Sequence, residues 1–229
     1  MAVGPNLDAR YARLCEGSER PHLAIGGNSH GRKLSGELWS ILARGHEGGL
    51  YLYLENGRFN HFCQGGVTVP RYENHYLFRQ LLDSNANVAL LELGGNDLDS
   101  PDPVDSRQVM SNLLALFREL ESRGKVVYVL SLPFRFTVRN PTVCSVVAYN
   151  KKVNYINKRL RYILKGRLIR IPSTLYKESV FHESHGEKVH FMDPHYATTA
   201  YECIFHIIRD LNERLSPPGT YRTRLSEEN

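Results

Sequence analysis

The run Val88–Leu93 is apolar and closes on Gly94-Gly95-Asn96-Asp97. A short run without polar alternation suits a strand buried on both faces, as strands of a parallel sheet are. Four further runs have the same character: His22–Gly27, Leu50–Leu54, Val126–Leu132 and Leu168–Ile171. Between them lie stretches with helical spacing. Leu34, Leu38, Ile41 and Leu42 mark a helix over Gly31–Arg44, and Leu77, Leu81 and Leu82 mark one over Tyr72–Leu82. Val109, Leu113, Leu116 and Leu120 mark another over Asp105–Glu121, which Gly124 ends. Val143–Leu164 and Tyr196–Leu211 supply two more. Strands alternating with helices predict an α/β domain, a parallel sheet of about five strands covered by helices on both faces. In such sheets the functional residues gather in loops at the carboxyl ends of the strands.

A chain of 229 residues is long enough for one well-buried domain, placed at 21–215 between an extension, 1–20, and a polar tail, 216–229. No apolar run approaches the roughly 18–20 residues that cross a bilayer. Met1–Arg20 has no apolar core behind basic residues, so no secretory signal is expected and an intracellular setting is favoured. Cys15, Cys63, Cys144 and Cys203 are scattered without a C-x-x-C spacing, which predicts free thiols, three of them in or near the core. The formal charge is +5, and much of the excess falls between Lys151 and Arg170. Basic clusters can follow a phosphate backbone, but the simpler reading is the solvated face of an amphipathic helix. Nucleic acid is therefore a weakly supported partner at this level.

The strand ends carry the chemistry. The first reads Gly26-Gly27-Asn28-Ser29-His30 and passes at once into a helix. A serine at such a turn can present its hydroxyl where the helix N-terminus aims backbone N–H groups, although Ser29 or Asn28 could equally cap the helix. A second loop contains Gln64-Gly65-Gly66-Val67-Thr68, and a third contains Asn96, whose amide could face a developing oxyanion. Before the last helix stand Glu187, His190, Asp193 and His195. A serine nucleophile needs an imidazole to accept its proton and an acid to orient that imidazole.

In this order, the blocks resemble the SGNH/GDSL hydrolase family. Gly27-Asn28-Ser29 matches its G-D-S pattern, Gly66 its block-two glycine and Gly94-Gly95-Asn96-Asp97 its G-x-N-D. The resemblance spans roughly 21–211 and implies a flavodoxin-like, three-layer α/β/α sandwich. It implies Ser29 as nucleophile towards an ester carbonyl, with the oxyanion held by the Ser29 N–H, the Gly66 N–H and the Asn96 side chain. Two positions depart from the pattern: Asn28 stands where the family carries Asp, and no D-x-x-H precedes the last helix. Glu187 with His190 keeps the spacing, whereas Asp193 with His195 keeps the Asp one residue short.

The substrate implied is a small-molecule, carbohydrate or lipid ester; a silent domain of the same fold, serving as a binding module in a nucleic-acid-associated or mobile-element protein, is the alternative. No phosphate-cradling glycine motif and no metal-ligand spacing joins the histidines, so no cofactor and no metal are expected. Phe134, Phe136, Tyr176 and Phe181 either line an acyl pocket or cover the sheet edge.

Overall fold

In the computed structural model the described residues are Leu14 and positions 19–45, 47–99, 105–138, 141–142, 144–181 and 189–213. Six strands share one sheet: β1 (His22–Gly27), β2 (Tyr51–Leu52), β5 (Phe62–Cys63), β6 (Val88–Glu92), β7 (Val126–Leu130) and β8 (Leu168–Ile169). The order is β2-β1-β6-β7-β8 with every neighbouring pair parallel. β5 continues the line of β2 along β1: β2 pairs His22 and Leu23, and β5 pairs Gly26 and Gly27. This is the doubly wound order of a flavodoxin-like sheet, with its switch point beside β1.

Alternation within the strands divides the core. Ala24, Ala89, Leu91, Val127 and Val129 face one layer, built from α2 (Val69–Glu73), α3 (Tyr76–Asp83), α4 (Ser106–Ser122) and α5 (Val146–Leu164). Leu23, Ile25, Val88, Leu90 and Tyr128 face the other, built from α1 (Ser29–Gly45) and α6 (Asp193–Glu213). Each helix buries one stripe. In α4 it is Val109, Leu113, Leu116 and Leu120; in α6 it is Ala200, Cys203, Ile204, Ile207 and Leu211. The result is the three-layer α/β/α sandwich expected. Cys63, Cys144 and Cys203 are buried free thiols, while Cys15, most of the N-terminal extension and the C-terminal tail lie outside the described residues.

Two expected elements divide differently, and one strand was not expected. The run Leu50–Leu54 serves two sheets: Tyr51 and Leu52 join β1, whereas β3 (Leu54–Glu55) turns through Asn56 and Gly57 into an antiparallel pair with β4 (Arg58–Phe59). Asn56 and Gly57 both have positive φ, 52° and 74°, which the tight hairpin turn demands. The helix expected over Tyr72–Leu82 is two helices, because His75 is extended and its Nδ1 accepts the Leu77 N–H to start α3. Strand β5 has no counterpart among the expected strands; Phe62 and Cys63 are too few to make a periodic signal.

The carboxyl end of β1 is packed without slack. A Cβ on Gly27 would collide with the Glu92 carbonyl oxygen on β6. On Gly36, exposed on α1, a Cβ would meet nothing within 4 Å. Gly27→Ala is expected to cost at least about 1–3 kcal/mol, while Gly36→Ala is expected to gain roughly 0.5–1 kcal/mol through helix propensity. Paired thermal melts of the two variants check the difference in sign.

Candidate active site

The turn after β1 is built by side chains that secure its backbone and leave Ser29 unencumbered. Asn28 is buried; its Oδ1 accepts the His30 N–H at 2.8 Å, and its own N–H donates to the Glu92 carbonyl at 3.1 Å. Asn28 is thus the residue that caps α1. An Asn does this as well as an Asp, so the departure from G-D-S keeps the turn closed. Ser29, first residue of α1 and half-buried, turns its hydroxyl the other way. Its Oγ lies 2.8 Å from His190 Nε2. An imidazole with its proton on Nδ1 offers Nε2 as the acceptor for a serine proton.

His190 is held by aromatic packing. Its ring lies 4.8 Å from that of His30, tilted by 37°. The next residue, Phe191, is buried against His30, Phe181 and Tyr196 at 5.8, 4.9 and 5.5 Å. A bridge between Phe181 and Phe191 and the Met192 N–H bond to the Val180 carbonyl fasten the segment. His30 Nδ1 in turn meets the Tyr196 hydroxyl at 2.8 Å. Burial, followed by the charges of His190, Arg135 and Lys33, lowers the His30 pKa well below the usual value against the opposing Val189 backbone bond. His30 is therefore a neutral platform under the histidine that meets Ser29.

His195 is half-buried in the first turn of α6, where its N–H donates to the Met192 carbonyl and its carbonyl accepts the Thr199 hydroxyl. The contact to Ser29 is made by His190. Asp193, exposed, opens α6 three residues after His190; Glu187 lies outside the described residues.

Gly66 follows β5 with φ at +73°, a conformation that favours glycine, and a Cβ there would meet nothing within 4 Å. Backbone conformation, not space, selects glycine at this point. Its loop is tied to β1 by the Gln64 N–H to the Gly27 carbonyl at 2.8 Å. It is tied to the β6 loop by Asn96, whose Nδ2 donates to the Val67 carbonyl at 3.1 Å. Asn96 Oδ1 accepts from Arg135 Nη2 at 3.1 Å, which leaves the amide one further N–H to donate. Asp97 receives the Val69 N–H on both oxygens, at 3.0 and 3.1 Å. Burial raises its pKa to about 6, the Val69 bond opposing.

Sequence reasoning missed the groups beneath this surface. Arg135, wholly buried, pairs with Asp99, reaches Asn96 and stacks on Tyr149 with its guanidinium 4.8 Å from the ring centroid. Glu92 ends β6 against the first turn of α1, and its Oε2 accepts the Gly31 N–H at 3.1 Å. Neither carried a signal: a charged residue inside an apolar run or a Pro-Phe-Arg loop reads as surface. His30 adjoins the serine, and only its neighbours in space give it a purpose.

Burial pushes the Glu92 pKa up to about 7, opposed by the Gly31 N–H, Arg135 and Asn28. A carboxyl whose pKa is higher folded than unfolded contributes stability that is complete below the unfolded pKa. That contribution is lost as the pH climbs through the folded value. Glu92→Gln keeps an acceptor for Gly31 and cannot ionise. The melting temperature of the parent, relative to Glu92→Gln, is therefore expected to fall on the order of 5 °C between pH 4.5 and 7.5. A constant difference across that range would mean Glu92 does not titrate there.

No family model and no curated protein matches the sequence. Solved structures do match. A family 3 carbohydrate esterase from Clostridium thermocellum is similar with a TM-score of 0.60 at 16% identity, over 86% of this chain and 100% of that one. A psychrotrophic esterase from Pseudoalteromonas gives 0.59 at 16% identity, over 84% and 99%. A lipase/acylhydrolase from Enterococcus faecalis gives 0.57 at 15% identity, over 87% and 99%. The chain has the fold of the SGNH/GDSL-type hydrolases and is divergent from them in sequence.

Proposed function

We propose that this protein is a serine-dependent ester or acyl hydrolase. The observation that carries the reading is the 2.8 Å contact between Ser29 Oγ and His190 Nε2 at the N-terminus of α1. Ser29 attacks the ester carbonyl while His190 takes the serine proton. The tetrahedral oxyanion accepts hydrogen bonds from the Ser29 and Gly66 N–H groups and from the Asn96 amide. On collapse the C–O bond to the alcohol breaks, and His190 returns the proton to the departing oxygen. Water then repeats the sequence on the acyl-serine and releases the acid. Glu187, three residues before His190, is the acid that orients the imidazole, by its spacing. The esterases and acylhydrolases that share the fold support an ester of a small molecule, carbohydrate or lipid as the substrate class.

A fluorophosphonate probe tests the assignment directly. The parent is expected to label and Ser29→Ala to stay dark; His190→Ala should lose labelling while His195→Ala keeps it. Absence of labelling in the parent, beside a reactive control esterase, would leave a binding domain. In hydrolysis of p-nitrophenyl acetate, Asn96→Ala is expected to lower kcat by about 10²–10³-fold, the usual worth of one oxyanion donor. Glu187→Gln should impair hydrolysis more than Asp193→Asn; the reverse ranking would give the acid's role to Asp193.

A further inference from the structure

Helix α5 holds no acidic residue, and its outward face is ordered in a way that a merely solvated helix does not require. Lys151, Tyr155, Lys158 and Tyr162 follow one another at spacings of four, three and four residues. That spacing sets them along one line of the helix, opposite the buried stripe of Tyr149, Val153, Ile156, Leu160 and Leu164. Cation and aromatic alternate along the line, which is about 16 Å long at roughly 1.5 Å per residue. Tyr162 is 81% exposed and Tyr155 36%. The Arg159 guanidinium lies 5.9 Å from the centre of the Tyr155 ring. Beside the line, a groove of about 190 Å³ opens between α5 and the end of β8. Lys158, Arg161 and Arg170 line it with Phe134, Asn154 and Tyr176, and no carboxylate among the described residues does. The neighbouring Arg167 turns away from this face, paired with Glu121 and stacked on Phe117.

We propose that this face and groove bind single-stranded nucleic acid. Charge selects a polyanion, because Lys151 and Lys158 stand on the line, Arg159 and Arg161 flank it on opposite sides and Arg170 lines the groove, a spread of cations wider than one phosphate group needs. The exposed rings select the strand. Unpaired bases offer their faces for stacking on tyrosine, whereas a duplex hides them, and cationic grooves with aromatic platforms serve such binding in general. The surface is separate from Ser29 and His190, so the proposal stands whether or not the chain hydrolyses esters.

The test is fluorescence anisotropy with a labelled dT20 oligonucleotide, on the parent and on Ser29→Ala. Both are expected to bind, with log K falling against log salt at a slope of roughly −2 to −3.5 for three to five neutralised phosphates. Lys151→Gln with Lys158→Gln and Arg161→Gln should flatten that slope by about 2. Tyr155→Ala and Tyr162→Ala should each weaken binding roughly tenfold and leave the slope unchanged, the mark of stacking rather than charge. Both tyrosine positions are exposed, and circular dichroism checks that the variants stay folded. Equal affinity for polyglutamate or for a dT20·dA20 duplex would overturn the proposal, as would preference for phosphatidylserine vesicles. So would the absence of dT20 binding at 50 mM salt (about 50 mM being where such contacts are strong).

Discussion

Everything at the candidate site rests on the contact between the ends of β1 and β6. The Asn28 N–H bonds the Glu92 carbonyl, the Gly31 N–H bonds the Glu92 carboxyl, and Gly27 leaves no room for a methyl between them. This junction fixes where α1 begins and therefore where the Ser29 N–H points, since the His30 and Gly31 N–H groups are spent on Asn28 and Glu92. It also explains why a carboxyl can sit fully buried: Gly31, Arg135 and Asn28 each favour its charged form against the penalty of burial. Unpaired, a buried charge would cost several kcal/mol.

A second buried charge organises the neighbouring loop. Arg135 arrives from the loop after β7, pairs with Asp99 and fixes the Asn96 carboxamide, while Asn150 clamps the Arg135 backbone on both sides, accepting its N–H and donating to its carbonyl. Asn157 does the same for Leu132 further along the helix. Helix α5 thus holds the loop after β7 in place from its inner face. The guanidinium's planar fork suits this work, since one side chain reaches a carboxylate and a carboxamide together. Lysine could not reproduce that geometry.

The aromatic cluster under His190 supplies rigidity to the segment that carries it. Phe181, Phe191, Tyr196 and His30 pack edge-on or tilted, arrangements that aromatic rings prefer and that resist sliding. A neutral His30 matters in that setting, because a charged ring beneath His190 would oppose any positive charge it gained. The loop aromatics divide between tasks accordingly: Phe136 and Phe181 pack on one another, whereas Phe134 meets Tyr176 beside the α5 groove.

The sequence by itself determined the layers and the strand ends. Apolar runs such as Val126–Leu130 and helical stripes such as that of α4 are local patterns, and burial on both faces leaves them visible without knowledge of neighbours. The order Ser29, Gly66, Asn96 and then a histidine was readable for the same reason, since each closes a strand or precedes a helix. Tertiary structure alone decided which histidine meets Ser29, because His190 and His195 differ by a few residues in a segment with no period of its own. It alone decided that Glu92, Arg135 and His30 lie buried beneath the site, as partners distant in sequence make that burial tolerable.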